Sequence, residues 1–295
     1  YQCPFGAVVD KSYIVNIIKM LQECQKSGND VYAVIAPAIA AQFDYASIGQ
    51  IITAIKMLGF KDVIEAALAA DMIAWKESQE IAEKGFLTSS CCPAFFNYIH
   101  KHMPQMIEHI SHNNSPMVEM GTILKKMDPN AKVVFIGPCT AKKAEFQLPE
   151  QKKYVDSVLT FEELQALFDS KDIELKELPW TDWNQASSYG RNFARAGGVA
   201  AAVEQMLKEL KIEDFELNPI SCDGIDKCKV ALLKASKGIL PNNFIEGMAC
   251  TGGCIGGSGN LVRYEYSPEE MTDHIKGAAT TEMLPNMKKH TDSYK

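Results

Sequence analysis

The chain has 295 residues, 46% of them hydrophobic, and a formal net charge of −7. The acidic balance and the lack of a basic run count against a nucleic acid or an anionic membrane surface as a partner. No apolar run approaches the ~18 residues that a membrane span needs, and no secretory segment opens the chain. We therefore expect a cytoplasmic protein of one large domain or two ordinary ones.

The first nine residues are typical of the end of an iron–sulfur module. A run Cys-Pro-Phe-Gly-Ala begins at Cys3, and a ferredoxin-like module commonly ends in a cysteine followed by proline. Because the chain starts at Tyr1 rather than Met, we expect residues 1–9 to be a remnant, with further [4Fe–4S] clusters in the missing upstream module. The alternative is an isolated cysteine in a frayed terminus. Residues 10–295 are expected to form the main domain, with two lobes that divide near residues 130–150.

Short apolar runs alternate with helical patterns along much of the chain. Asp10 is the predicted N-cap of a first helix, which Gly28 ends. The later helices are predicted at 47–58, 66–83, 94–102, after Pro116, at 161–168 and from 197 to 210. The apolar runs cover 31–36, 60–65, 86–89, 132–136 and 244–249. This alternation predicts an α/β fold, doubly wound with helices on both faces, in which ligands bind at the carboxyl ends of strands.

Nine cysteines indicate metal binding or catalysis rather than disulfides, because the number is odd and the chain has a cytosolic character. Cys24, Cys222 and Cys228 are interpreted as structural, and the tryptophan-containing loop 179–183 as surface structure. The remaining cysteines, Cys3 apart, lie in three loops that follow apolar runs: Cys91, Cys92, Cys139, Cys250 and Cys254.

These three loops predict an iron–sulfur site. Cys250 and Cys254 lie in the glycine-rich stretch 246–259, and glycine lets the backbone approach a bulky inorganic group closely. The side chains of the adjacent residues Cys91 and Cys92 diverge, so one is expected to be a ligand and the other a free thiol. If the three loops leave the same edge of one sheet, four thiolates converge, which is the number that a cubane cluster needs.

Residues 89–95, 137–145 and 246–257 resemble the three signature motifs of the iron-only ([FeFe]) hydrogenases, in the family's order. They read Ser-Ser-Cys-Cys-Pro-Ala-Phe, Gly-Pro-Cys-Thr-Ala-Lys-Lys-Ala-Glu and Glu-Gly-Met-Ala-Cys-Thr-Gly-Gly-Cys-Ile-Gly-Gly. The family's patterns are Thr-Ser-Cys-Cys-Pro-x-Trp, Met-Pro-Cys-x-x-Lys-x-x-Glu and Glu-x-Met-Ala-Cys-x-x-Gly-Cys-x-x-Gly-Gly. The resemblance covers nearly the whole chain. It implies the family's fold, with doubly wound sheets, flanking helices and an active site between two lobes.

The resemblance implies the H-cluster as cofactor. A [4Fe–4S] cubane would be held by Cys92, Cys139, Cys250 and Cys254. Cys254 would also bridge to a two-iron unit that carries carbon monoxide, cyanide and a bridging azadithiolate amine, and the glycines after Cys254 would leave room for that unit.

Other residues are implied around the two-iron unit. Cys91 would be the free thiol that hands protons to the bridging amine, and Lys142 would hold a cyanide by a charge-assisted hydrogen bond. The family's proton path of an acidic residue, a serine and a second acidic residue maps onto Glu77, Ser111 and Glu80. The alternative is that the two glutamates are solvated helix residues. The remaining cofactor-contacting positions are Pro37, Ala38, Pro138, Met248 and Gly253.

Four departures from the family pattern indicate slow turnover. A lost hydroxyl and a lost thioether change the surroundings that tune a metal's reactivity. The pattern resembles the sensory branch of the family, which is thought to report dihydrogen rather than to convert it in bulk. The departures are Ala38 for serine, Gly137 for methionine, Phe95 for tryptophan, and the run 258–260 without the usual proline.

Two alternatives remain at this stage. One is a non-catalytic relative that acts in iron–sulfur cluster assembly, and the other is a simple electron carrier. The assembly relatives lack the free thiol of the first motif, whereas this chain keeps Cys91 and Lys142. A simple electron carrier would have no use for Lys142, Met248 and the glycine-rich stretch around one cluster, so the hydrogenase is favoured. The partners that the resemblance implies are dihydrogen, protons, a ferredoxin-like electron partner or upstream iron–sulfur module, hydrogenase maturation proteins and a signalling partner.

Overall fold

The computed structural model describes residues 9–264, 266 and 268–293, without the side chains of 291–293. Cys3 and residues 1–8 of the predicted module remnant lie outside the described residues. No helix in the described part is long and apolar enough to cross a membrane.

The described residues form seven short strands. Most are apolar runs that are buried on both faces, as is typical of parallel sheets. The fifth and sixth strands were not predicted, because serine, threonine, proline and aspartate interrupt their apolar pattern. The strands are β1 (Val31–Ile35), β2 (Asp62–Glu65), β3 (Leu87–Thr88), β4 (Lys132–Gly137), β5 (Ser157–Thr160), β6 (Pro219–Asp223) and β7 (Phe244–Met248).

Helices connect the strands and cover the sheets. Gly28 and Gly85 end two of them in the left-handed conformation that glycine adopts without strain. The α-helices of the described residues are α1 (Ile14–Ser27), α2 (Ile48–Met57), α3 (Ala66–Lys84), α4 (Pro93–His102), α5 (Pro116–Met127), α6 (Thr140–Glu145), α7 (Phe161–Asp169), α8 (Ser188–Asn192), α9 (Gly198–Glu209), α10 (Ile225–Ser236), α11 (Glu269–Lys276) and α12 (Met283–Ser293).

The strands form two parallel sheets. The first has the order β2-β1-β4-β5, and the second has the order β3-β7-β6. In the first sheet Val34 of β1 lies opposite Ile64 of β2 and Phe135 of β4. In the second, Ile245 of β7 lies opposite Thr88 and Ile220. The predicted α/β fold with parallel sheets and flanking helices is therefore confirmed.

The condition that all three cysteine loops leave one sheet is not met. Cys139 follows β4 of the first sheet, whereas Cys91 and Cys250 follow β3 and β7 of the second. The two sheets also interleave along the chain, because β3 precedes β4 and β5 but pairs with β7. No single position near residues 130–150 therefore separates them.

Helix α3 packs against α5, α8, α9 and α12. Helices surround it on several sides, so even its polar residues Asp71 and Glu77 are fully buried. The interpretation of Glu77 as a solvated helix residue is therefore wrong. Its burial depends on neighbours far away in sequence, which the helical pattern alone does not show.

Asp10 is not the N-cap of the first helix. That position belongs to Tyr13, which caps α1 without a side-chain hydrogen bond. The Asp10 carboxylate instead pairs with the buried ammonium of Lys143, and Glu163 lies 2.8 Å from the same ammonium. Glu163 also accepts a hydrogen bond from the Tyr13 backbone N–H. The N-terminal segment is thus fastened to the buried charged side chains of Lys143 on α6 and Glu163 on α7.

The loop 179–183 is only partly surface structure. Trp180 is exposed, as predicted, but Trp183 is buried. The Trp183 indole donates a hydrogen bond to the Val63 carbonyl over 3.0 Å, and its ring stacks on His274. Cys24, Cys222 and Cys228 are buried among apolar residues, which agrees with their structural interpretation.

Candidate active site

A cavity of about 100 Å³ lies where strands of both sheets end. Its surface is almost wholly apolar, and it receives residues from the loops after β1, β3, β4 and β7. It brings together eleven residues that were predicted for the site: Pro37, Ala38, Cys91, Cys92, Pro138, Cys139, Lys142, Met248, Cys250, Gly253 and Cys254.

Hydrogen bonds between the loops fix their positions. The Ser89 backbone N–H donates to the Ile245 carbonyl, and the Gly247 N–H donates to the Ser89 hydroxyl over 3.1 Å. The Gly259 N–H donates to the Pro138 carbonyl over 2.8 Å. The first and second cysteine loops are thus each bonded to the third, which explains how loops from two sheets meet at one cavity.

The thiols around the cavity lie in an environment that disfavours bare thiolates. Burial raises the pKa of Cys139 to about 12 and that of Cys250 to about 11. Burial also raises the pKa values of Cys91 and Cys254 well above the ordinary range. Cys254 has accessible surface, but this surface faces the cavity and protein surrounds the residue. Such thiols ionise when a cationic centre compensates their charge.

The donor set fits a polynuclear cluster. Within the described residues, no group of three histidine, cysteine, aspartate or glutamate side chains is placed to hold a single metal ion. The four thiols predicted as ligands instead surround the cavity, as the separated corners of a cubane require. The residues present therefore fit a [4Fe–4S] group.

Lys142 brings a positive charge to this apolar cavity. Its ammonium donates to the Glu145 carboxylate over 2.7 Å and to the Cys91 carbonyl over 3.2 Å. Burial lowers the pKa of Lys142, but the neighbouring Glu145 carboxylate outweighs this effect, and the pKa is raised overall. The side chain is therefore charged, and it is held beside the loop that carries Cys91.

The glycines near Cys254 are needed for packing of the protein against itself. A Cβ on Gly253 would lie 2.8 Å from the Ala196 nitrogen and 2.9 Å from Met248 Sδ, and its φ is +87°. A Cβ on Gly257 would lie 2.5 Å from the Pro138 carbonyl oxygen. Both residues line the cavity, but the atoms that exclude a side chain belong to the chain. Packing within the chain therefore requires glycine at both positions, and the expectation that the glycines after Cys254 leave room for a two-iron unit stays a prediction.

Residues 258–260, where the third motif departs from the family pattern, form hydrogen bonds of their own. The Asn260 amide donates to the carbonyls of Cys254 and Ile255 over 3.0 and 2.8 Å. The hydroxyls of Ser258 and Thr140 lie 2.8 Å apart. The residues that depart from the family pattern thus hold the Cys254 turn and connect it to the helix after Cys139.

Glu77, Ser111 and Glu80 do not line the cavity but lie in a row behind Cys91. Burial raises the pKa of Glu77 to about 8, and the Glu77 charge adds to the effect of burial in raising the pKa of Cys91. The Ser111 hydroxyl and the Ser90 backbone are near enough to the Glu77 carboxyl to lower its pKa. Within the described residues, however, neither Glu77 oxygen makes a hydrogen bond of normal geometry.

Glu80, at the outer end of the row, accepts several hydrogen bonds. The Ser111 hydroxyl donates to Glu80 Oε2 over 3.2 Å, and Lys84 donates to Glu80 Oε1 over 2.7 Å. The Glu80 side chain is 13% exposed. The row therefore leads from the fully buried Glu77 to a carboxylate at the protein surface.

Several cavity residues were missed by sequence reasoning. Met117, Phe135 and Phe193 line the cavity but belong to no motif. For Phe135 a signal existed, because it lies two residues before Gly137 in the same strand and so faces the same side. Phe95 replaces the family's tryptophan, and its ring packs where a Cβ on Gly247 would lie, 2.3 Å from that position.

Comparison with known proteins agrees with this geometry. The family described as iron only hydrogenase large subunit, C-terminal domain, matches residues 29–258. Iron hydrogenase 1 of Clostridium pasteurianum is 27% identical over 311 residues, which cover 87% of this chain and 54% of that protein. The chain thus spans about half the length of that relative.

A second kind of relative is also found. The cytosolic Fe-S cluster assembly factor NAR1 of Kluyveromyces lactis is 30% identical over 172 residues, 54% of this chain and 36% of that protein. Among solved structures, a variant of the [FeFe]-hydrogenase HydA1 from Chlamydomonas reinhardtii matches with a TM-score of 0.72 and 17% identity, over 96% of this chain and 95% of that one. This likeness supports the fold.

Proposed function

The chain belongs to the iron-only hydrogenase large-subunit family, and on that premise we propose that it holds an H-cluster and interconverts dihydrogen with protons and electrons. One observation carries the proposal. The cavity collects Cys92, Cys139, Cys250 and Cys254 together with the fifth thiol of Cys91. A protein that held only an ordinary cubane would have no evident use for the fifth.

The chain's own residues have distinct roles in this proposal. Cys92, Cys139, Cys250 and Cys254 would hold the cubane, and Cys254 would also help to hold the two-iron unit. When bound, that group supplies the redox-active iron at which dihydrogen is made or split. Lys142, held by Glu145, would offer a positive charge to the anionic ligands of that group. Apolar residues, among them Met248, exclude water from the cavity.

Proton transfer is assigned to a row of side chains that begins at Cys91. The Cys91 thiol carries an exchangeable proton beside the cavity. Behind it come Glu77, Ser111 and Glu80, of which the last reaches the surface. A buried Glu77 with a pKa of about 8 suits a relay, because a carboxyl group that titrates near neutral pH can both accept and release a proton.

Slow turnover and hydrogen sensing are the finer part of the proposal. Ala38 and Gly137 replace the hydroxyl and thioether of the family pattern, and Ala38 is buried against the cavity. Fewer polar contacts to a bound cofactor weaken the control of its potential and reactivity. Electrons would pass to a ferredoxin-like partner or an upstream iron–sulfur module, maturation proteins would load the two-iron unit, and a signalling partner would receive the sensor's output in the cytoplasm.

Infrared spectroscopy of the matured, anaerobic protein tests this proposal. Intrinsic carbon monoxide and cyanide bands are expected, together with dihydrogen turnover. A NAR1-like cluster protein would contain iron and sulfide but would lack these bands after maturation, and that result would reject the hydrogenase assignment.

Two cysteine variants refine the test. Cys92→Ser should reduce the bound iron, because it removes a cubane ligand. Cys91→Ala should keep the iron content and the infrared bands but slow turnover by ~100-fold or more, as expected for loss of an acid–base group. Unchanged turnover in Cys91→Ala would show that the thiol is not part of the proton path.

A further inference from the structure

The two oxygens of the Glu80 carboxylate share the His112 backbone N–H, which lies 3.2 Å from each, but their side-chain partners differ. Oε2 accepts hydrogen bonds from Ser111 Oγ over 3.2 Å and from Asn113 Nδ2 over 2.9 Å. Oε1 lies 2.7 Å from Lys84 Nζ and 3.0 Å from His112 Nδ1. Oε2 is therefore bonded to Ser111, the next member of the row toward the interior. Oε1 is bonded to the side chains on the solvent side.

Two contacts of His112 Nδ1 require opposite protonation states. To donate to Glu80 Oε1, Nδ1 must carry a proton. To accept from Lys84 Nζ, which lies 3.1 Å away, Nδ1 must offer its lone pair. The two partners are thus placed so that the ring has a hydrogen bond both before and after Nδ1 loses its proton.

The other groups around Glu80 are poor proton carriers. The Asn113 amide does not titrate, and the Lys84 ammonium is paired with Glu80 Oε1. Histidine is the side chain that gains and loses a proton in that range. The His112 side chain is 74% exposed, so water reaches the ring directly.

A groove of about 460 Å³ lies beside these residues. Ser111, His112 and Asn113 form part of its wall. The charged and titratable groups that share the groove with the His112 ring are His100, Glu108, Glu145 and Glu150, while Glu80 and Lys84 face the ring from α3. The groove therefore gives the outer end of the row access to solvent.

We propose that His112 is the solvent-end proton carrier of this row, an inference that rests on the proposed hydrogenase function. In the inward step the Nδ1–H bond of the imidazolium breaks and an O–H bond forms at Glu80 Oε1. The ring becomes neutral, the carboxylate becomes a carboxylic acid, and Nδ1 then accepts a hydrogen bond from Lys84. Nε2 keeps its proton throughout, and water returns a proton to Nδ1, which releases the hydrogen bond from Lys84. The outward step is the reverse.

Substitution of His112 tests this role. The ring is exposed, so His112→Ala should fold normally. Turnover of dihydrogen near neutral pH should fall about tenfold, less than for a buried acid–base group because water partly replaces the ring. Added imidazole should restore most of the rate. The matched control is His109→Ala, three residues earlier, whose ring packs on Phe86; its turnover should equal that of the wild type and should not respond to imidazole.

A second readout does not depend on turnover. Nitrogen-15 spectra of the His112 ring in the full chain should change on Glu80→Gln, because the carboxylate that favours a protonated Nδ1 is lost. The His109 signals should not change. Ring signals of His112 that are unaltered in Glu80→Gln overturn the inference whether or not the chain turns over dihydrogen. With an active wild type, full activity of His112→Ala overturns the inference and leaves the hydrogenase function standing.

Discussion

The ring of Phe135 occupies the space that a side chain at Gly137 would need. A Cβ on Gly137 would lie 2.6 Å from Phe135 Cε1 and 3.1 Å from the Ala36 Cβ. Phe135 and Gly137 both lie on β4, and Phe135 lines the cavity. The methionine missing from the second motif is thus matched by an aromatic ring two residues earlier, so the two positions have to be considered as a pair.

Gly137→Met alone should destabilise the chain by about 1 to 3 kcal/mol, because it forces a long side chain against the Phe135 ring. Phe135→Ala alone should cost about 3 to 5 kcal/mol through the void that it leaves. In the double variant the methionine fills that void, so the combined loss in urea unfolding should be clearly smaller than the sum. Strictly additive losses would show that the two sites do not compete for space.

Gly253→Ala should disturb the site more than its conformation alone explains. Any non-glycine residue at a left-handed φ is strained by roughly 1 to 2 kcal/mol. Gly238 provides the control, because its φ is also positive, +67°, but no atom lies within 4 Å of the point that a Cβ would occupy there. Gly253→Ala should therefore lose more stability than Gly238→Ala and should also bind less iron, since its Cβ meets the Ala196 backbone. Equal effects of the two variants would contradict the packing argument.

Glu77→Gln should alter how stability depends on pH. The folded pKa is raised from 4.5 to about 8, so between these values the folded chain holds a proton that the unfolded chain has released. Wild-type stability then falls as the pH rises through this window. The glutamine variant lacks this fall. As the pH rises through the window, its stability relative to wild type should increase by up to a few kcal/mol, at about 1.4 kcal/mol per unit of pKa shift.

Urea unfolding across the window from pH 4.5 to about 8 measures this difference. Glu150→Gln, on the surface, is the control and should run parallel to the wild type. A constant difference between Glu77→Gln and wild type at all pH values would mean that the buried carboxyl keeps an ordinary affinity for protons.

Lys142→Met should destabilise the chain by about 1 to 3 kcal/mol, because it leaves the partly buried Glu145 carboxylate, which is 12% exposed, without its partner. The double variant Lys142→Met with Glu145→Gln removes the uncompensated charge and should recover much of this loss. Lys208, in an exposed pair with Glu204, is the control, and Lys208→Met should leave the unfolding midpoint unchanged. A double variant no more stable than Lys142→Met would indicate that the lysine acts through packing.

Local pattern in the sequence determined much of the site. Cysteines placed just after apolar runs predicted thiols at strand ends, because parallel strands present their carboxyl ends to ligands. The three motifs then identified which thiols belong together and why Cys91 and Lys142 accompany them. The cavity contains these residues as predicted, since short loops fix side chains close to the strand that precedes them.

Only the tertiary structure decided how the loops converge and what lies behind them. Strand β3 has two residues and β6 is interrupted by polar side chains, so their pairing with β7 depends on contacts between distant segments that no local period encodes. For the same reason Glu77 is buried although it lies among polar residues of a helix. Whether a side chain is buried, and which ring fills the space beside Gly137, is set by the elements that pack against it.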